Sequence, residues 1–236
     1  MTTFSSGVTA SMGNLIASET KERAYEVYKR VDFINYWLYT FTATCLLCLV
    51  EPFVAIWLGQ DFVLAKAILI LAVAIYYFKG INSGIDIAKN AAGLYYPDRF
   101  IPMAEAIANM VISIVLAKRY GIAGVLFGTL VSFLALSFWT KPYFVCRDVF
   151  EVSFARYAVR EGREIVVSVL VAAGTWYAVS LVSLENVLLS FGVKALLALA
   201  LSNGLLLLVY FKTSEFQYLR GLLESAANRI GKRKKA

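Results

Sequence analysis

Six apolar stretches follow one another along the chain, at residues 33–59, 63–88, 101–117, 121–140, 165–184 and 190–211. Each is long enough for a helix to cross hydrocarbon about 30 Å thick. None shows the alternation of a barrel strand, and lipid leaves open strands unsatisfied, so helices are the expected elements. The pattern predicts an all-α, polytopic helical membrane protein with six full transmembrane helices. Residues 1–18 are small and mildly polar, without the basic and long apolar regions of a signal peptide. They read as a partial N-terminal helix, the end of a truncated membrane helix packed where small residues permit close approach.

Two further segments have the pattern of interfacial amphipathic helices. One puts Phe150, Phe154, Tyr157 and Ala158 on a single face. The other opens at Ser214-x-x-Gln217, a capping-box spacing, and carries Phe216, Leu219, Leu223 and Ile230 on one stripe. The expected organisation is therefore a helix end at 1–18, a four-span part at 19–140, a cytoplasmic amphipathic connector at 141–163, two additional spans at 164–211 and a basic amphipathic tail at 212–236.

Composition strengthens this reading. The 236 residues are 60% hydrophobic and 17% charged, whereas soluble domains average about 25% charged and 45–50% apolar. So few charges cannot cover so much apolar surface in water. Disorder, a soluble basic nucleic-acid binder and a disulfide-stapled secreted fold are excluded, so nucleic acid is not an expected partner and membrane lipid is.

The placement of the +7 net charge orients the chain. Eighteen Lys and Arg residues fall in the segment before the first span, the second and fourth connections and the tail, against Lys118 and Arg119 in the alternate loops. The positive-inside rule puts both ends of the six-span block in the cytoplasm. The terminal Lys232–Lys235 run favours anionic lipid.

The absence of histidine removes imidazole bases and nearly all zinc and haem sites. Cys45 and Cys48 have C-x-x-C spacing inside an apolar run and read as packing residues, since a reactive thiolate needs an electropositive, partly exposed site. No P-loop, zinc-protease, nucleophile-elbow or dinucleotide motif occurs. The expectation is no enzyme, no catalytic residue, no cofactor and no metal, with any transport passive or ion-coupled.

Several short patterns come in a fixed order. Pro52-Phe53-Val54-Ala55-Ile56-Trp57-Leu58-Gly59 closes the first span, and Phe62-Val63-Leu64-Ala65 followed by Leu69-Ile70-Leu71 opens the second. A short loop holds Gly93 and Asp98-Arg99, the third span holds Asn109, and Tyr120-Gly121-Ile122-Ala123-Gly124-Val125-Leu126-Phe127-Gly128-Thr129 opens the fourth. This ordered set, over residues 1–140, resembles the polysaccharide-biosynthesis flippases, relatives of the multidrug extruders and the lipid II flippase. The last two spans match only in number and position. The resemblance implies the C-terminal portion of an inner-membrane flippase for undecaprenyl-pyrophosphate-linked oligosaccharide. Residues 1–18 would end the eighth helix and the six spans would be helices nine to fourteen. It also implies alternating access around a cationic cavity, and an N-terminal lobe that a separate chain would have to supply.

Polar residues inside spans are the candidate substrate-binding groups. Lys79, Asn82, Asp86 and Lys89 fall at i, i+3, i+7 and i+10, one face of a helix. They form either a cavity wall that receives the pyrophosphate or a coupling ion, or a local interfacial pair below a snorkelling lysine. Glu105, Asn109 and Ser113 share a face of the third span, with Asn109 expected in a helix–helix hydrogen bond. Glu105 is expected either to pair with Lys89 or Arg99 or to couple protons. Pro52 is expected to bend its span beside an interfacial Glu51, and Lys66 and Lys194 are expected to snorkel. Gly124-x-x-x-Gly128, extended by Ser132, predicts a small-residue groove, so a leucine at Gly128 is expected to disrupt packing and one at Gly93, in a loop, to matter less. The competing functions are an ion-coupled extruder of the same superfamily, expected to show an acidic residue deep in a span, and a non-transporting scaffold subunit.

Overall fold

A computed structural model describes residues 2–218, 220 and 221, with side chains from residue 7 onward. Helix makes up 86% of it, and no strand occurs among the described residues. The elements are α1 (Thr2–Ser18), α2 (Lys21–Trp57), α3 (Lys66–Ile81), α4 (Ser83–Ala91), α5 (Ile101–Tyr120), α6 (Ile122–Ala135), α7 (Ser137–Phe144), α8 (Phe154–Ser180) and α9 (Val187–Tyr210). A 3-10 turn at Gln60–Phe62 follows α2, and a π-helical turn at Val145–Phe150 follows α7. Six units are long and apolar enough to cross a membrane: α2, α3 with α4, α5, α6 through the π turn, α8, and α9. The chain is an all-α, multi-pass membrane protein.

α2 organises the rest. Thr20 caps it by accepting from the Arg23 amide at 3.3 Å, with Glu22 in the first turn. Its 37 residues span about 55 Å at 1.5 Å per residue, far more than hydrocarbon requires. The helix begins twelve residues before the apolar stretch because Tyr25 and Tyr28 are buried there against Phe150, at ring separations of 5.4 and 5.1 Å. It runs unbroken through Pro52 to Trp57. Three apolar clusters lie along its length. The first joins Tyr25 and Tyr28 to Met12, Ile85, Phe150 and Tyr157. The second joins Phe33 and Tyr36 to Tyr77, Phe138 and Tyr210. The third joins Cys48 to Val179 and Ala198, with Cys45 packed beside it, so the C-x-x-C pair is a packing element with free thiols.

The amphipathic connector is not a separate surface helix. Residues 154–163 are the first turns of α8, and Phe150 and Tyr157 are core residues at 1% and 2% exposure. Burial against the N-terminal extension of α2 satisfies the apolar face that sequence had assigned to lipid. Beyond α9, residues 214–218 are helical. The cap is Thr213, whose hydroxyl accepts from the Phe216 amide at 3.4 Å, rather than Ser214. Phe216 stacks on Trp37. Leu219, Leu223, Ile230 and the basic run at 232–235 lie outside the described residues.

The α5–α6 hairpin shows the small-residue groove. A Cβ at Gly128 would lie 2.5 Å from the Ser113 hydroxyl and 2.9 Å from its amide, and one at Gly124 would strike the Leu116 carbonyl. Gly93 has open space around it but a constrained backbone. It takes φ +65°, closing α4 with Gly93 N–H donating to Asn90 at 3.2 Å and Leu94 N–H to Lys89 at 3.0 Å. This is a Schellman end, which favours glycine for its left-handed backbone.

Candidate functional site

The predicted four-residue stripe crosses a one-residue irregularity at Asn82, between α3 and α4, with the i→i+4 bonds from Asn82 to Phe78 and from Asp86 to Asn82 both kept at 3.3 Å. Gly80, Asn82, Ser83 and Gly84 are weak helix formers, and the Ser83 hydroxyl bonds back to the Gly80 carbonyl at 2.7 Å. α3 ends at Ile81 and α4 begins at Ser83. Asn35 of α2 donates to the Gly80 carbonyl at 2.8 Å and accepts from Ser83 at 3.3 Å, so α2 holds the irregularity in place. The two glycines permit this approach: a Cβ at Gly80 would enter the Tyr39 ring, and one at Gly84 would strike the Asp32 carboxylate.

The four residues meet four different environments. Lys79 is exposed, its ammonium 5.8 Å from the centre of the Phe133 ring, with no carboxylate partner among the described residues. Asn82 is buried at 1% exposure, and neither amide atom has a hydrogen-bond partner. Asp86 pairs with Lys141 at 2.8 Å, across to α7. Lys89 pairs with Asp98 and lies 5.8 Å from the Tyr95 ring. No single wall forms. On the third span, Glu105 accepts from Ser137 rather than pairing with Lys89 or Arg99. Asn109 makes the expected interhelical bond, accepting from Thr129 at 3.3 Å as well as from Ser113 at 2.8 Å.

A second polar group escaped the sequence reading. α8 buries Tyr157, Glu161, Glu164 and Ser168 on one face, continued by Val171, Thr175 and Val179. Arg160, counted among loop cations from sequence, turns inward and pairs with the buried Asp32 of α2; its Nε lies 3.9 Å from Glu164. The guanidinium is 5.8 and 5.5 Å from the ring centres of Tyr28 and Tyr157. One oxygen from each of Asp32, Glu161 and Glu164 lies within 4.8 Å of the others. The signal was present: polar residues at i, i+4, i+7 and i+11 occupy the same stripe as the buried apolar positions further along α8.

A hydroxyl ladder leads from this cluster into the spans. Tyr210 donates to Tyr36 at 3.3 Å, and Tyr36 to the Glu164 carbonyl at 3.2 Å. One turn on, Tyr77 donates to Ser168 at 2.9 Å, and Thr40 and Ser168 share a 2.7 Å bond. These last three hydroxyls floor a cavity of about 380 Å³ between α2, α3 and α8. Its walls are Leu, Ile, Val and Ala side chains, and its far end holds Glu51, Lys66 and Trp176, with the Lys66 ammonium 5.5 Å from the Trp176 ring. Tyr77 and Phe78 line this cavity; Lys79 does not, because it leaves α3 toward Phe133 of α6. Compared with known proteins, the chain matches no family model, no curated protein and no solved structure.

Proposed function

We propose that the chain is the C-terminal portion of a bacterial inner-membrane flippase that translocates undecaprenyl-pyrophosphate-linked oligosaccharide for surface polysaccharide biosynthesis. The observation that carries the reading is Lys79. It sits near the midpoint of the Lys66–Ala91 unit, about 18–20 Å from either end, exposed and without a carboxylate partner among the described residues. A bare ammonium at that depth is expensive in lipid and is stable facing water or an anion. A pyrophosphate supplies the anion, and an N-terminal lobe supplies the opposite wall of an aqueous path. On the other side of α3 the apolar cavity has the lining a polyprenyl chain requires. The order of motifs from Pro52 to Thr129 adds the resemblance already described.

The buried carboxylates do not favour the extruder reading. Asp32 and Glu164 each immediately precede an apolar stretch, so they lie at the edge of the hydrocarbon rather than deep in a span. The same edge carries the basic loops, which this reading places in the cytoplasm.

The test is complementation by the complete genomic locus in a strain from which it has been deleted. Lysine binds phosphate as a point charge, so arginine is a partial substitute and an uncharged residue is none. Surface-polysaccharide export should fall at least tenfold for Lys79→Ala, a factor that corresponds to about 1.4 kcal/mol. It should fall less for Lys79→Arg and stay normal for Lys194→Ala. Normal export by a Lys79→Ala protein present at wild-type level in the membrane removes Lys79 from the mechanism.

A further inference from the structure

We infer that Asp32, Glu161 and Glu164 form a binding site for a calcium-sized divalent cation, bridging α2 and α8 at the basic-loop end of the spans. The inference is independent of what the chain transports. All three carboxylates are buried, at 3–5% exposure, and each offers one oxygen within 4.8 Å of the other two. Calcium bonds oxygen at 2.3–2.6 Å, so ligands on opposite sides of one ion stand about 4.6–5.2 Å apart. The three oxygens thus fit a single coordination sphere, and with only three fixed ligands the site leaves room for the waters that complete calcium's six to eight.

Charge points the same way. Three carboxyl groups face one guanidinium, Arg160; when all three are ionised, as ligands of a metal are, the excess is two negative charges, which a single divalent ion cancels. Neighbouring Arg156 and Arg163 are exposed to solvent and form no ion pair with the cluster.

The second observation is Tyr28. It is 1% exposed and lies one turn before Asp32 on the same face of α2. Its hydroxyl neighbours that carboxylate without completing a hydrogen bond of ordinary length and angle. A buried hydroxyl left open toward a carboxylate cluster has the placement of a ligand, or of a partner to a bound water. The donor set is oxygen only, which selects hard cations over zinc or copper.

Terbium(III) is the probe, because it mimics calcium and its emission is excited through nearby tyrosines; Tyr28 and Tyr157 flank the site. The full chain in detergent should show saturable tyrosine-excited terbium emission, competed by calcium at lower concentration than by magnesium. Glu161→Gln and Glu164→Gln should each weaken terbium binding about tenfold or more, and Tyr28→Phe by a smaller factor. Glu185→Gln, in the α8–α9 loop, should match wild type. Calcium should also raise the unfolding temperature of the wild-type chain, a readout that needs no variant. Absence of saturable emission, unchanged binding in both glutamate variants, or equal loss in Glu185→Gln overturns the site. So does an unfolding temperature indifferent to calcium.

Discussion

Arg160 pairs with Asp32 and lies 3.9 Å from Glu164, so removing the cation and removing one carboxylate are unequal perturbations. Arg160→Met leaves the buried Asp32 without its ion-pair partner and removes the nearest cation from Glu164. Breaking a buried pair from that side costs about 3–5 kcal/mol. Asp32→Asn removes one of the excess negative charges while Arg160 keeps Glu164, so it should cost clearly less. Thermal unfolding of the two purified variants in detergent gives the order, and a more damaging Asp32→Asn contradicts the charge count. Of this group, Glu161 and Glu164 were legible as polar residues in a buried helical register. Asp32 and Arg160 were not, because a local pattern shows which face of a helix is apolar but not which other helix meets it. Lys79 was legible for the opposite reason: a lysine in the middle of an apolar run is conspicuous whatever surrounds it.

Neighbouring segments and glycines decide how these side chains are presented. The spacing of Lys79, Asn82, Asp86 and Lys89 describes one face of a regular helix, but their partners come from different segments, Phe133 of α6, Lys141 of α7 and Asp98 of the following loop. Asn35 from α2 holds the irregularity at Asn82 through bonds at 2.8 and 3.3 Å, a tertiary contact that local spacing does not encode. The Gly124–Gly128 groove was readable because its requirement, close approach to a neighbour, is met by the very next hairpin partner. Gly128→Leu has no room beside Ser113 and should abolish a stable α5–α6 hairpin. Gly93→Ala meets open space, but at φ +65°, and should cost about 1 kcal/mol for the left-handed backbone. Folded yield and melting temperature in detergent should therefore rank wild type above Gly93→Ala and both far above Gly128→Leu. A Gly128→Leu protein as stable as wild type shows that α5 and α6 do not pack as described.

The chain taken together is strongly polarised. Asp32–Arg160, Asp86–Lys141 and Glu105–Ser137 gather the polar contacts at the end that also carries the basic loops. The opposite end is held by apolar contacts among Cys48, Val179 and Ala198. α5 has no buried residue, and Met103, Ile107, Met110, Ile114 and Val115 are each more than half exposed. That surface is untenable in water and suits lipid or a neighbouring lobe. Six spans, their order and the basic asymmetry followed from one-dimensional pattern because hydrocarbon thickness and loop charge are local properties. The length of α2 and the burial of the connector did not, since both depend on aromatic packing between segments more than a hundred residues apart.

The central claim is that this lobe serves the passage of a lipid-linked glycan from the inner to the outer leaflet. Its most direct test is the leaflet distribution of that glycan in spheroplasts, read with an impermeant lectin or glycosidase. Deleting the locus should leave the lipid-linked oligosaccharide inaccessible from outside while its total amount rises, the wild-type locus should restore access, and Lys79→Ala should not. Unchanged outer-leaflet access in the deletion strain contradicts the account.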